Sequence, residues 1–363
     1  MILTGFDVFQ YRVPLVVTLK LGGALLFERE GLLVRLSSST GAVGWGDIAP
    51  LPGFSHETLS EARRQITAQR EVLRGWFITD DWIEPEGIFV RHLEAQDLAP
   101  SVRFGLELAL WNLHAASRRT SVAHLLAPQP RAMVSVNGLL MGSTEEIREN
   151  ALRLREAGYR AVKLKVGRGA VEEDIGRVRA VSRVIGPEVG LRLDANRAWS
   201  LDEAAAFVRG IAGVSLEYIE EPLQDPKRLP EFVEAHQVPV ALDETLMDIP
   251  AEALGAHAYA RAVILKPTLL GGLIPTRRMA QRATALGMKP VFSATFETGV
   301  GLQGLVALVA ALSPADIPAG LDTYRWLADD VMTPHLDLGH GSLDVAMVLR
   351  ASRSINETLL KEI

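Results

Sequence analysis

The sequence predicts an α/β protein, an eight-stranded parallel (β/α) barrel preceded by an α+β module, and three observations carry that expectation. First, strand-like runs recur at 133–140, 161–166, 189–194, 216–220, 238–243, 262–266, 289–294 and 319–322, with helical patterns between most of them. Eight units at that spacing are what a closed parallel barrel requires. An open doubly wound sheet is the runner-up, and the even spacing favours closure. Second, the residues before about 125 have a different rhythm, long alternating runs followed by helical ones, as in an α+β module. Third, charged side chains end successive barrel strands.

The N-terminal module has alternating runs at 5–20, 25–38 and 41–47, then the turn-rich Pro50-Leu51-Pro52-Gly53-Phe54-Ser55, then helical patterns near 56–74 and 101–118. Ser55 is the expected N-cap of the first helix and Gly75 its stop. In the barrel, Ser143 with Glu146 and Ser200 with Glu203 have capping-box spacing, and the helix from Thr144 is expected to end at Gly158. The tail after about 325 adds no full unit and is expected to pack back on the first module. The domains are thus 1–128, completed by 325–363, and 129–324.

Bulk properties narrow the function. A chain of 363 residues suggests two domains, and 48% hydrophobic with 23% charged residues is a globular composition. Net charge is −6 with no basic tract, which argues against a nucleic-acid partner. The chain has no cysteine, so disulfides, thiolate nucleophiles and cysteine-ligated metals are excluded. Its N-terminal stretch lacks a signal-peptide layout, and its longest apolar stretch, Gly304–Leu312, is too short to span a bilayer. A cytoplasmic protein without membrane association is expected, as monomer or homo-oligomer.

The chemistry lies at the strand ends. In Val162-Lys163-Leu164-Lys165-Val166 the alternation puts both lysines on one sheet face. Taken alone, that face would be solvent-exposed, because lysines are rarely buried. From Lys165 the steps to Asp194, Glu220, Asp243 and Lys266 are 29, 26, 23 and 23 residues, one βα unit each. All are therefore expected at one level of the barrel's C-terminal mouth, where such barrels hold their active sites. Three crowded carboxylates raise one another's pKa unless a cation intervenes. Their all-oxygen donor set selects a hard dication, Mg²⁺, with Mn²⁺ second. Flanked by two lysine-bearing strands, such a site suits removal of a proton α to a carboxylate of a small-molecule substrate. Lys165 is the expected base, Lys163 beside it disfavours its charge, and Lys266 faces it across the metal.

At these residues the chain resembles the enolase superfamily, in its muconate-lactonizing subgroup. The resemblance implies a (β/α)7β barrel with an α+β capping domain, metal ligands Asp194, Glu220 and Asp243, and catalytic Lys163, Lys165 and Lys266. Glu221 and Glu244 are expected behind the ligands. Two stretches, 50–62 (PLPGFSHETLSEA) and 191–199 (LRLDANRAW), are similar to the o-succinylbenzoate synthase family. That similarity implies dehydration of 2-succinyl-6-hydroxy-2,4-cyclohexadiene-1-carboxylate in menaquinone biosynthesis. It also implies substrate contacts from Phe54 and Ser55 in the capping loop and from Arg192, Asn196, Ser293 and Gly320 on the barrel. Ala294 and Thr295 stand where that family often carries serines. N-succinylamino acid racemases and dipeptide epimerases share the same lysines and metal set, so they are the rival reading.

One decoy needs weighing. Residues 299–304 read GVGLQG, with Asp322 18 residues beyond Gly304, a dinucleotide-binding pattern on paper. Only one strand follows it, so tight helix–strand packing is the expected role. A non-catalytic binding protein on the same fold is a third reading, which the intact lysines and carboxylates oppose.

Overall fold

Two sheets organise the chain, one antiparallel and one parallel. The computed structural model describes residues 1–21, 24–79, 82, 87–314, 316–351 and 354–363. The antiparallel sheet has the order β13-β1-β2-β3, from β1 (Leu3–Leu21), β2 (Ala24–Ser38), β3 (Val43–Ile48) and β13 (Leu360–Glu362). Helices α1 (Leu59–Leu73), α2 (Ile88–Ala95), α3 (Pro100–Ser117) and α4 (Val122–Leu126) follow its first three strands. The expected N-cap Ser55 is displaced by Thr58, whose capping box with Glu61 satisfies two backbone donors reciprocally. Ser55 Oγ instead accepts from Leu51 N at 2.9 Å and tightens the preceding loop. Gly75 lies just past the helix at φ +77°.

Helix α3 lies unusually close to β3. A Cβ on Gly46 would stand 1.8 Å from the Gly105 carbonyl oxygen, and one on Gly105 would meet the Ile48 side chain at 2.3 Å. Backbone blocks the first position, so Gly46→Ala is expected to destabilise the protein by about 2 kcal/mol, within the overpacking range. Urea unfolding measures it, and an unchanged midpoint would show that α3 yields freely.

The parallel sheet has the order β11-β10-β9-β8-β7-β6-β5. Its strands are β5 (Gly138–Leu140), β6 (Ala161–Lys165), β7 (Gly190–Asp194), β8 (Tyr218–Glu220), β9 (Val240–Leu242), β10 (Ala262–Leu265) and β11 (Lys289–Phe292). Between them run α5 (Thr144–Glu156), α6 (Val171–Ile185), α7 (Leu201–Gly210) and α8 (Leu229–His236), then α9 (Pro267–Leu270) and α10 (Leu273–Ala285), and α11 (Gly299–Leu312) follows β11. Both expected capping boxes form, Ser143 with Glu146 and Ser200 with Glu203. Two 3₁₀ segments, Glu244–Asp248 and Ala251–His257, take the place of a helix after β9.

The run at 133–140 divides. Its first part, β4 (Met133–Ser135), pairs antiparallel with β12 (Ser342–Asp344), and α12 (Val345–Ala351) follows β12. Only its second part joins the barrel, as β5. The eighth strand is reduced to two parallel bridges, Val136↔Ala319 and Ser293↔Gly320. They join the two edges of the parallel sheet and close the barrel. The tail therefore contributes in two places, β12 against β4 and β13 against β1.

Helix α11 is apolar on every side and almost wholly buried, as expected of a helix enclosed all round. It runs between the barrel and α3, α4 and β3. The GVGLQG pattern forms its first turns: a Cβ on Gly301 would meet Glu297 and Asp47, and one on Gly304 would meet Leu108. Close packing accounts for these glycines. Buried charges fasten the capping domain here. Asp47 accepts from Thr298 N (2.9 Å), Thr298 Oγ1 (2.7 Å) and Tyr11 OH (2.8 Å), and burial pushes its carboxyl up to about 6. Glu107 on α3 accepts from Ile274 N at 2.8 Å at the start of α10, and burial pushes it up to about 7. No helix among the described residues is long and apolar enough to cross a membrane.

Candidate active site

Register places the predicted residues side by side. Lys163 pairs with Arg192 and Lys165 with Asp194 across β6–β7, and Asp194 pairs with Glu220 across β7–β8. Glu220 pairs with Ala241, so Asp243 stands two residues further along its strand, and Lys266 follows the end of β10. The expected single level is thus a stagger that climbs around the barrel, as strand tilt requires.

The lysine face points inward. The side chains of Lys163, Lys165 and Lys266 are 12%, 16% and 11% exposed, and those of Asp194, Glu220 and Asp243 are 0%, 0% and 3%. Lys165 Nζ lies 2.5 Å from Asp194 Oδ2 and 2.8 Å from Asn196 Oδ1. Lys163 Nζ lies 3.0 Å from Asp194 Oδ2 and 3.2 Å from Glu220 Oε2. Lys266 Nζ pairs with Asp243, and it also sits 5.8 Å from the centre of the Phe54 ring, a cation–π distance.

The two strand-two lysines differ in charge preference. Burial lowers both, but the Asp194 and Glu220 carboxylates lift Lys163 well above the ordinary lysine value. For Lys165, burial and the Lys163 ammonium outweigh Asp194 and hold it below that value. Lys266 is also lowered by burial, yet Asp243 and then Glu220 push it up to about 12.

Behind this layer lies a supporting network. Asn196 (φ +44°), Arg197 (φ +58°) and Glu221 (φ +39°) are non-glycine residues in the left-handed region. Such strain persists only where surroundings over-determine it. Here Glu221 Oε1 accepts from Asp243 N (3.0 Å) and Thr245 N (2.8 Å), while its Oε2 accepts from Arg197 Nε (3.1 Å). The second acid of Glu220-Glu221-Pro222 thus fixes the backbone that presents Asp243. Asn196 Nδ2 donates to Glu244 Oε1 at 3.0 Å, so Asn196 orients Lys165 from the side.

As placed, no three metal-ligating side chains among the described residues converge into a ready cage, because the lysine ammonium groups stand between the carboxylates. The donor set nonetheless fits a hard dication. Burial and then Asp194 push the Glu220 carboxyl well above the usual range, and burial and then Asp243 push up Glu244. Glu244 Oε2 is buried without a hydrogen-bond partner. The cluster therefore holds more buried carboxylate than its lysines neutralise.

These lysines open onto a cavity of 480 Å³ between barrel mouth and capping domain. Phe54, Ser293 and Gly320 line it, with Ser293 Oγ donating to the Gly320 carbonyl at 3.3 Å. Ser55, Arg192 and Asn196 do not line it. Arg192 points into the barrel one layer below Asp194, donating to Glu217 Oε2 (2.5 Å), Asn137 Oδ1 (2.9 Å) and Pro318 O (2.7 Å). It acts on the cavity only through Asn137, which does line it. The loop bond already described occupies the Ser55 hydroxyl. Leu19 and Leu21 from β1, Arg168 after β6, and Asp322 and Trp326 after the eighth strand also line the cavity. Sequence reading missed these. Arg168 had a signal, as the first charged side chain beyond the Lys163–Lys165 strand.

Known proteins resemble the chain over both domains. A family model described as enolase C-terminal domain-like matches residues 146–347, and one for the MenC N-terminal domain matches residues 3–113. The o-succinylbenzoate synthase of Pasteurella multocida is 31% identical over 335 residues, 91% of this chain and 92% of that one. Protein PHYLLO of Arabidopsis thaliana, a chloroplastic protein, is 32% identical over 371 residues, 91% of this chain but 21% of its own length. In structure, a dipeptide epimerase from Enterococcus faecalis, solved with Mg and a dipeptide, superposes with a TM-score of 0.83 at 22% identity, over 95% of this chain and 97% of that one. With the KxK strand, the carboxylates on β7 to β9 and the capping sheet in place, the chain belongs to the enolase superfamily, among the relatives of o-succinylbenzoate synthase.

Proposed function

We propose that the protein is a Mg²⁺-dependent o-succinylbenzoate synthase, which removes water from 2-succinyl-6-hydroxy-2,4-cyclohexadiene-1-carboxylate. The observation that carries this reading is the largely buried lysine pair against the carboxylates of β7 to β9, in a chain 31% identical to a synthase over 91% of its length. Asp194, Glu220 and Asp243 would hold the cation, as Mg accompanies the epimerase of the same fold. Bound there, the dication supplies charge stabilisation to the substrate carboxylate as its α-carbon loses a proton. With such a counter-charge on Asp194, Lys165 is free to act as the neutral base. It takes the α-proton, the electron pair moves into the carboxylate system as an enolate, and Lys266 stays charged beside it. The Lys165 ammonium then returns the proton to the departing hydroxyl, so water leaves and the lysine is neutral again.

The cavity favours a substrate with a second carboxylate. Three of its four cations, Lys163, Lys165 and Lys266, are paired with protein carboxylates, and Arg168 pairs with no described residue. Arg168 is assigned to the succinyl carboxylate. Arg168→Ala is expected to raise KM about tenfold with kcat nearly unchanged, the loss of one charge-assisted contact at a solvent-exposed rim. Steady-state kinetics measure it, and an unchanged KM would remove Arg168 from the site. N-succinylamino acid racemisation is the rival reaction on the same lysines. Incubating N-succinylphenylalanine with the enzyme in deuterated buffer tests it: α-deuteration faster than the dehydration would overturn the main reading.

A further inference from the structure

Two arginines are buried among the described residues, Arg29 on β2 and Arg192 on β7. Arg192 meets the Glu217 carboxylate. Arg29 forms no ion pair with a described residue, and its hydrogen bonds all go to backbone carbonyls. Nη2 donates to Ala49, Nη1 donates to Pro50 (2.7 Å) and to Glu30 (3.3 Å), and Nε donates to Phe296 (3.1 Å). A guanidinium taken out of water without a counter-charge is costly unless its donors are satisfied. Here they are satisfied from three segments: its own strand, the root of the capping loop, and the barrel loop after β11.

The capping loop and the barrel loop both wall the reaction cavity. Leu51 and Phe54 line it from the first, Thr295 and Phe296 from the second. The capping loop is one tight turn, with Phe54 N and Ser55 N donating to the Leu51 carbonyl at 3.0 and 2.8 Å. Holding Ala49 and Pro50 therefore sets where Phe54 stands, and its ring lies 5.8 Å from Lys266 Nζ. Across the gap, Phe296 is a non-glycine residue at φ +61°, a conformation that its surroundings must impose. Arg29 Nε holds its carbonyl. Leu19, Leu51 and Phe296 pack together, with Phe54 against them.

We propose that Arg29 is a positioning residue of the reaction site: it ties Ala49 and Pro50 of the capping loop to Phe296 of the barrel and so holds the two cavity walls together beside Lys266. Arg29 does not itself line the cavity. Its planar fork reaches both segments at once, whereas a lysine brings a single nitrogen. Without the tie the capping loop is closed for only part of the time, and the apparent affinity for substrate falls by that fraction. The proposal rests on reading this cavity as the reaction site.

Arg29→Ala and Arg29→Lys test it through two readouts, with Gly46→Ala, whose strain lies against α3, as the control for general loss of stability. Hydrogen-exchange mass spectrometry needs no turnover. It is expected to show the amides of residues 51–55 exchanging at least about tenfold faster in both Arg29 variants than in the control, as local opening requires. KM is expected to rise about tenfold in Arg29→Ala and about threefold in Arg29→Lys, with kcat within about threefold of the wild type. Arg29→Lys decides the matter if the alanine variant fails to fold. Unchanged exchange at 51–55, or the same acceleration in Gly46→Ala, overturns the tie. Faster exchange with unchanged KM makes Arg29 a purely structural residue and overturns the positioning role. If the wild type racemises N-succinylamino acids and does not dehydrate the cyclohexadiene acid, KM is read on the racemisation, so failure of the synthase reading leaves this test standing.

Discussion

Lys165→Ala is expected to lower kcat by at least about 10³-fold, within the range for loss of a positioned general base. Lys165 is the ammonium placed between Asp194 and Asn196 at 2.5 and 2.8 Å, and it alone of the three lysines is held below its ordinary pKa. Lys163, 3.0 Å from the same Asp194 oxygen, remains in the variant, so the carboxylate does not lose all its counter-charge. Lys165→Arg separates the two roles of the side chain. A guanidinium keeps the charge but does not deprotonate in proteins, so this variant is expected to be as inactive as the alanine form. Single-turnover measurements on both variants give the answer, with circular dichroism as the folding control. Retention of kcat within tenfold in either would remove Lys165 as the base.

Removal of divalent cations is expected to have an effect of similar size. Lewis-acid stabilisation is worth several kcal/mol, and about 4 kcal/mol corresponds to roughly 10³ in rate. Dialysis against a chelator should therefore abolish measurable turnover, and added Mg²⁺ should restore it. Glu220→Gln is expected to raise the Mg²⁺ concentration needed for half-maximal activity. Its amide keeps the shape but removes one of the buried negative charges, and Glu220 is fully buried between Asp194 and Asp243. Full activity in chelator would show that the lysines alone neutralise the developing charge.

The clustering of these lysines and carboxylates was legible in the sequence because it obeys two local rules. Alternation placed Lys163 and Lys165 on one face, and a nearly constant step carried that face to Asp194, Glu220, Asp243 and Lys266. Depth within the barrel obeys neither rule. Arg192 shares the inward parity of Asp194 yet lies a layer lower, spent on Glu217, Asn137 and Pro318. The climb from Glu220 to Asp243 and Lys266 comes from barrel stagger, which no single strand encodes. The eighth strand was found at the right place but not in its reduced form. Two bridges suffice there, because the adjoining strand ends already hold 319 and 320. At the first helix, Ser55 and Thr58 are both acceptable caps by residue type, and only Thr58 has a glutamate three residues on. The contribution of β1 to the cavity was not legible. Nothing local to residue 19 or 21 shows that the chain will bring it near Lys165.

The most direct test of the synthase reading is to supply the purified protein and Mg²⁺ with 2-succinyl-6-hydroxy-2,4-cyclohexadiene-1-carboxylate and follow the aromatic product by NMR. Stoichiometric conversion to o-succinylbenzoate, lost on chelation and in Lys165→Ala, is the expected result. Unchanged cyclohexadiene acid under conditions in which the same preparation racemises N-succinylamino acids would contradict it.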